Sequence, residues 1–287
     1  MKPLALASRP FYAERLDGRG RPEPWTLDEL EDFAAAHQDP YGGRRLPDTA
    51  PPAVSLQIET AGEPPLWLGL DARELGAWAS VLAAAWSRWG VSPGECVALF
   101  DYGSSPVVLL ASASYAPTLR RGAAERLGVS VVCNDGVAVA ADRMLDVIEQ
   151  LAPSALVLRR DVLAPLTSVF ETAGVALAES CRWVAVTEAE GVPHSREVER
   201  LQQSWGVPVH RIARVDAAHL LAGDCRRCGA FHLSPRHYAL ESVGRDELAV
   251  TARFAQTCAS VRHRLGGATR LPGSCPDDPR ALRFRWP

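Results

Sequence analysis

The stretch from residue 155 to residue 186 decides the fold. Ala155-Leu-Val-Leu158 is an unbroken apolar run. Asp161 to Ala173 follows with helical spacing, and Trp183-Val-Ala-Val186 is a second apolar run. A short run that is apolar at every position reads as a strand covered on both faces. Two such strands joined through a helix read as parallel neighbours, because a parallel pair needs a crossover of that length. The same alternation extends outward. Upstream lie a strand at Cys96 to Phe100, a helical segment over 105–127 broken near Pro117, a strand at Val129 to Cys133 and a helix at Ala141 to Leu151. Downstream lie a helix at Ser195 to Trp205 and a strand at Val207 to Ile212. The expected fold class is α/β, with mostly parallel sheets covered by helices.

The flanks have a different texture. Residues 1–53 are rich in Pro, Arg and Gly. Thr26 with Glu29 forms a capping-box pattern opening a helix through Ala36, and Pro40 to Pro52 reads as a loop. Val54 to Ile58 and Leu66 to Leu70 read as strands. Asp71 caps a predicted helix from Ala72 to Trp89, with Leu75, Trp78, Leu82 and Trp86 on one stripe and Gly90 ending it. From Phe231 the pattern becomes hairpin-like, with strands at His237 to Val243, Glu247 to Arg253 and Ser260 to Arg264. The expected organisation is an N-terminal helical and loop segment (1–53), an α/β core (54–220) and a small β-rich region (221–287), packed as one compact unit.

Composition limits the function classes. The 287 residues are 47% hydrophobic and 23% charged, which excludes disorder, collagen and coiled coil. No apolar run reaches the roughly 18 residues that cross a bilayer. Met1 to Pro10 lacks the apolar core of a signal peptide, so a cytoplasmic protein without membrane contact is expected. A formal net charge of -3 gives no reason to expect nucleic acid. Of the 31 Lys and Arg residues only Lys2 is lysine, a bias a GC-rich genome explains. No lysine of the folded body can then serve as Schiff base, phosphate anchor or general base. Seven cysteines in a chain not expected to be exported argue against a disulfide framework. Cys96 and Cys133 sit in apolar runs and read as core.

Several strings, in order along the chain, resemble the phenylacetate–CoA ligase branch of the adenylate-forming enzymes. Ser8-Arg9-Pro10-Phe11-Tyr12 is similar to that branch's opening S-P-F-Y, and Thr26-Leu27-Asp28-Glu29-Leu30 to the segment after it. Val91-Ser92-Pro93-Gly94-Glu95 resembles G-x-x-P-G-D, and Gly122 to Gly128 resembles G-A-x-x-L-G. Trp205 to Val209 is similar to the G-x-P-V strand, and Phe231-His232-Leu233 with Tyr238 to G-x-H-x-x-E-D-x-Y. Glu247 to Thr251 followed by Val261 to Gly266 resembles G-E-L-V-x-T and I-R-Y-R-x-G-D. The resemblance implies the fold of that family's large N-terminal domain. It also implies a chemistry in which ATP activates a carboxylic acid as an acyl-adenylate before transfer to CoA.

The residues that chemistry needs are missing. The family's hydroxyl-rich phosphate loop is replaced by Glu59 to Pro65, which brings in the acids Glu59 and Glu63. At ~4 Å and an effective dielectric near 20, each carboxylate beside a phosphate charge costs about 4 kcal/mol before screening. Ala217 stands where the family's magnesium-binding glutamate belongs, with Asp216 a substitute by a shift of register. Gly267 stands where the ribose-binding aspartate belongs. The sequence shows no counterpart of the small C-terminal subdomain and its lysine. Losing several groups on one reaction coordinate removes orders of magnitude in rate. ATP and magnesium are therefore not expected as cofactors. Tyr102 and Ser104 are pocket candidates in the family manner, together with Asp216.

Cys225 and Cys228 form C-x-x-C, with His232 and His237 after it. A redox role would call for a thioredoxin-like unit, so zinc fits better. Members of the resembled branch carry a cysteine seven residues before the G-x-H histidine and a C-x-C pair further on. Cys225 and His232 keep that spacing, and Cys275 falls at the first position of the pair. Asp277 occupies the second position, and Cys228 makes up the ligand. Cys225, Cys228, His232 and Cys275 are thus a candidate closed zinc set of structural type, with His237 or Asp277 as alternatives to Cys275.

The expected function is a degenerate, non-adenylating ligase-like protein. It would bind a small carboxylic acid, an acyl thioester or a protein partner as an accessory in a specialised metabolic pathway. Two alternatives stand: a divergent ligase or acyltransferase on an aromatic or other carboxylic acid, and unrelated chemistry in the old acyl pocket. Whether it is an enzyme is left open. The tail, with Leu282, Phe284 and Trp286 alternating with Arg283 and Arg285, reads as a short strand. It is expected either to fold back on its own chain or to dock on a second copy or a dedicated partner.

Overall fold

The computed structural model describes residues 6–60, 65–244 and 247–286. Along the chain the helices and strands are α1 (Pro10–Ala13), α2 (Leu27–His37), β1 (Val54–Gln57), β2 (Trp67–Leu70), α3 (Ala72–Arg88), β3 (Cys96–Asp101), α4 (Pro106–Ala111), α5 (Ala123–Leu127), β4 (Ser130–Asp135), α6 (Ala141–Leu151), β5 (Ala155–Arg159), α7 (Leu163–Ala173), β6 (Trp183–Thr187), α8 (Ser195–Trp205) and β7 (Val209–Val215). They continue with β8 (Leu220–Cys225), β9 (Ala230–Leu233), β10 (Tyr238–Ser242), β11 (Leu248–Ala252), β12 (His263–Leu265), β13 (Thr269–Arg270) and β14 (Leu282–Arg285). The chain divides into two units. One comprises Met1–Trp78, Val215–Leu220 and Ala230–Pro287, the other Ala79–Arg214 and Leu221–Gly229.

The second unit carries the parallel sheet. Its strands run in the order β8-β7-β6-β5-β3-β4, and the pairs from β7 to β4 are parallel. Leu156, Leu158, Val184 and Val186 face a layer of Met144, Ile148, Leu166, Phe170, Val198 and Trp205 from α6, α7 and α8. Phe170 meets Trp205 edge-on at 5.7 Å. The all-apolar strands follow from this double coverage, since Val157 and Leu158 are both wholly buried. The parallel register aligns the strand ends, pairing Asp101 with Asp135 and Arg159 with Thr187.

The first unit is antiparallel. β10, β11 and β12 form one sheet, β1 and β2 a ribbon, and β9 pairs with β14, which pairs with β13. Its core is aromatic, with Phe11 edge-on to Tyr12, Trp25 and Phe33 at 5.3–5.4 Å. The capping box at Thr26 and Glu29 opens α2 as its sequence pattern requires. The Tyr12 hydroxyl donates to Ala259 O and accepts from Val261 N, both at 3.0 Å, which ties the N-terminal segment to the stretch leading into β12.

The helical segment 105–127 is broken around Pro117, as expected, into the two short helices α4 and α5. Between them Glu125 accepts bonds from Ser112, Ala113 and Gly122, and this folds the chain back. Gly122 is required there, because a Cβ would lie 2.5 Å from Ser112 Cα. Strands β8 and β9 add to the strands expected from the sequence. Polar residues in β8 are satisfied laterally: Asp224 accepts from Arg211 N at 3.0 Å and lies 2.8 Å from His210 Nδ1. Cys96 and Cys133 are only half-buried, although desolvation still pushes the Cys133 thiol up to about 11. The tail folds back as β14 on β9, pairing Leu282 with Leu233 and Phe284 with Phe231, so its apolar face is used within its own chain.

Candidate metal centre and the carboxyl edge of the sheet

Cys225 ends β8, and the turn that follows returns Cys228 towards it. Gly229 closes that turn with φ 63, a left-handed conformation that glycine adopts without steric cost. Its N–H donates to Cys225 O at 2.7 Å. His232 lies on β9 opposite Arg283 of β14. Arg283 donates to Pro272 O, and Leu271 N donates to Arg283 O at 3.0 Å, so the loop leading to Cys275 is fixed from the strand that flanks His232. Cys275 is closed into a tight turn by Asp278 N, which donates to its carbonyl at 3.2 Å.

One ligand atom from each of Cys225, Cys228, His232 and Cys275 lies within 4.8 Å of all the others. Around a tetrahedral zinc with Zn–S of about 2.3 Å, sulfurs stand about 3.8 Å apart. The group can therefore hold a metal ion. Cys225, His232 and Cys275 are buried and Cys228 is half-buried, which leaves no broad opening for a substrate. His237 and Asp277 are not members of the group.

A second polar cluster lies at the carboxyl ends of the parallel strands, where open α/β sheets bind ligands. Asp101, at the end of β3, is wholly buried. Its carboxylate accepts from Ser105 Oγ at 2.7 Å and from Tyr102 N at 2.8 Å. Arg159 approaches it at 3.6 Å from the end of β5, and Arg214 at 3.8 Å from β7. Burial pushes the Asp101 carboxyl up; Arg214, the Ser105 and Tyr102 bonds, and Arg159 oppose that shift. The Arg159 guanidinium sits 3.9 Å over the Tyr102 ring. Tyr102 thus belongs to the strand edge, whereas Ser104 is exposed, and it is Ser105 that caps α4 and bonds Asp101. Asp101, Arg159 and Arg214 were not singled out in the sequence, where an acid closing a strand reads as a turn residue.

The remaining sequence candidates lie elsewhere. Asp216 and Ala217 are buried in the turn Asp216–Ala218 of the first unit. The Ala217 carbonyl accepts from Arg44 Nη1, so a buried guanidinium faces the backbone at that position. Glu59 is exposed just past β1, and Glu63 lies outside the described residues. Gly267 has φ 73 in the turn between β12 and β13.

No family model matches the sequence, and no curated protein matches it. Solved structures do match. An open conformation of 2-hydroxyisobutyryl-CoA ligase, in complex with 2-HIB-AMP and CoA, superposes with a TM-score of 0.75 at 15% identity, over 99% of this chain and 70% of that one. The chain has the fold of the CoA ligases. The same ligase in its postadenylation state gives 0.75 at 14% identity over 97% of this chain and 63% of that one. An anthranilate CoA ligase in complex with anthranoyl-AMP gives 0.50 at 12% identity over 80% and 46%. The chain thus spans 63–70% of the length of the 2-hydroxyisobutyryl-CoA ligase structures. Identity this low speaks to the CoA-ligase fold alone, because function resides in the site carried on a fold.

Proposed function

We propose that this protein is a non-adenylating relative of the CoA ligases, similar in its motifs to the phenylacetate–CoA ligase branch. In this reading it binds a small carboxylic acid or acyl thioester as an accessory in a metabolic pathway. One observation carries the proposal. At the place of the family's magnesium-binding glutamate stands Ala217, wholly buried, and its carbonyl accepts from the Arg44 guanidinium. A methyl group cannot ligate magnesium, whatever its surroundings. Gly267, in a left-handed turn, offers no carboxylate for a ribose either.

The Cys225, Cys228, His232 and Cys275 group supports structural zinc. Three thiolates and one imidazole are a donor set that zinc fills completely, leaving no position for a substrate. Zinc there would lock β8, the turn, β9 and the Cys275 loop together. The chemistry left to the rest of the chain is binding and orientation. The test is ATP–pyrophosphate exchange across a panel of aliphatic and aromatic acids, alongside thermal shifts with the same acids and their CoA thioesters. A thermal shift without exchange supports the proposal. Acid-dependent exchange would instead make the protein a divergent ligase.

A further inference from the structure

The interior of the first unit holds a positive charge that none of its own carboxylates bonds. Arg44 is wholly buried. Its Nη1 donates to Ala217 O and its Nε to Tyr41 O at 3.4 Å, while its guanidinium lies 5.8 Å from the Trp25 ring. Among the described residues no carboxylate forms an ion pair with it, and Nη2 has no hydrogen-bond partner. Arg9, a second buried guanidinium, bonds the Arg44 carbonyl and those of Gln256 and Thr257. Glu74, the buried carboxylate close enough to act on Arg9, is occupied by Asp71 N, Gln256 N, Thr257 N and the Thr257 hydroxyl. Buried cations without a paired anion are strongly unfavourable.

His219, close enough to feel the Arg44 charge, and Trp78 beside it are unsatisfied in a matching way. His219 is wholly buried in a left-handed turn at φ 52, two residues beyond the carbonyl that Arg44 holds. Neither ring nitrogen of His219 has a partner, and the indole N–H of Trp78, whose ring is 5.7 Å from His219, has none. The position of His219 is fixed from outside, since Tyr238 Oη donates to its carbonyl at 2.8 Å and its own N–H donates to Asp216 O at 2.9 Å. The imidazole is thus held in place by its backbone while its ring atoms bond nothing. A neutral imidazole supplies one N–H, the indole a second, and Arg44 Nη2 the charge.

We propose that Arg44, His219 and Trp78 line an internal site for a small monovalent anion, a halide or a short carboxylate. The anion neutralises Arg44 and accepts the orphaned N–H groups. None of these three residues belongs to the cysteine group.

Crystals of the full-length protein grown with sodium bromide test it directly. A bromide anomalous peak within bonding distance of Arg44 Nη2 and the His219 ring is expected. Water alone at that position, or bromide only on the surface, overturns the proposal. In solution, sodium chloride and sodium acetate are each titrated against sodium gluconate at constant ionic strength, which separates the two anion sources. At least one should raise Tm saturably, and Trp78→Phe should weaken that dependence about fivefold by removing one donor. Arg44→Gln should abolish it. Equal Tm in chloride, acetate and gluconate would contradict the site even if Arg44→Gln fails to fold.

Discussion

Phe284 stacks on Phe231 at 5.3 Å, with ring planes 29° apart, and this contact holds the last strand on β9. Both rings are wholly buried. The tail's alternation of apolar and basic residues therefore serves its own sheet, and its neighbour in β14, Arg283, braces the loop leading to Cys275. Phe284→Ala should lower stability by about 3–5 kcal/mol, the range for removing a buried aromatic ring. Urea unfolding measures it, and a loss below about 1 kcal/mol would mean that the strand is not anchored there.

Purified protein should contain one zinc per chain. Cys225→Ser or Cys275→Ser should reduce zinc content and lower Tm together, because metal binding at a closed site contributes directly to folding. Cys258→Ser should leave zinc content unchanged, since that buried thiol instead accepts from Gly69 N at 3.2 Å and is not in the group. Elemental analysis finding no metal, or equal loss in all three variants, would remove the zinc assignment.

Acid should destabilise the protein through two buried imidazoles. Burial, then the charge of Arg44, lowers His263 to about 3 and pushes His219 well below its ordinary value. The unfolded chain takes up these protons near pH 6.5 and the folded chain does not, so their contribution is present above about pH 6.5 and is lost as pH falls towards 3. His263 steepens the dependence by about 1.4 kcal/mol per pH unit in that window, and His219 acts in the same direction. His263→Gln should flatten the profile of unfolding free energy between pH 6.5 and 4. An unchanged slope would contradict a buried neutral His263.

The parallel strands were legible because burial on both faces makes each a continuous apolar run, as in β5 and β6. Strand β8 was not. Its Gly223 is imposed by the Trp89 ring, which a Cβ would meet at 2.6 Å, and its Asp224 is satisfied by His210, so neither residue looks like a strand position in isolation. The cysteine group was legible from spacing and from a family resemblance, since local turns and a pair of strands bring its members together. The Asp101 cluster was not, because its arginines come from strands far along the chain and only the parallel register places them beside Asp101. Nor does the sequence reveal that Arg44 is buried, because Gly-Gly-Arg-Arg at 42–45 reads as a solvated loop.

The central claim is that the ligase fold persists here without a nucleotide site. Titrating Mg-ATP into the zinc-loaded, full-length protein by calorimetry tests it without knowledge of the acid substrate. No binding up to several millimolar, and no rise in Tm over the same range, is the predicted result. Saturable Mg-ATP binding with a sub-millimolar Kd would contradict it.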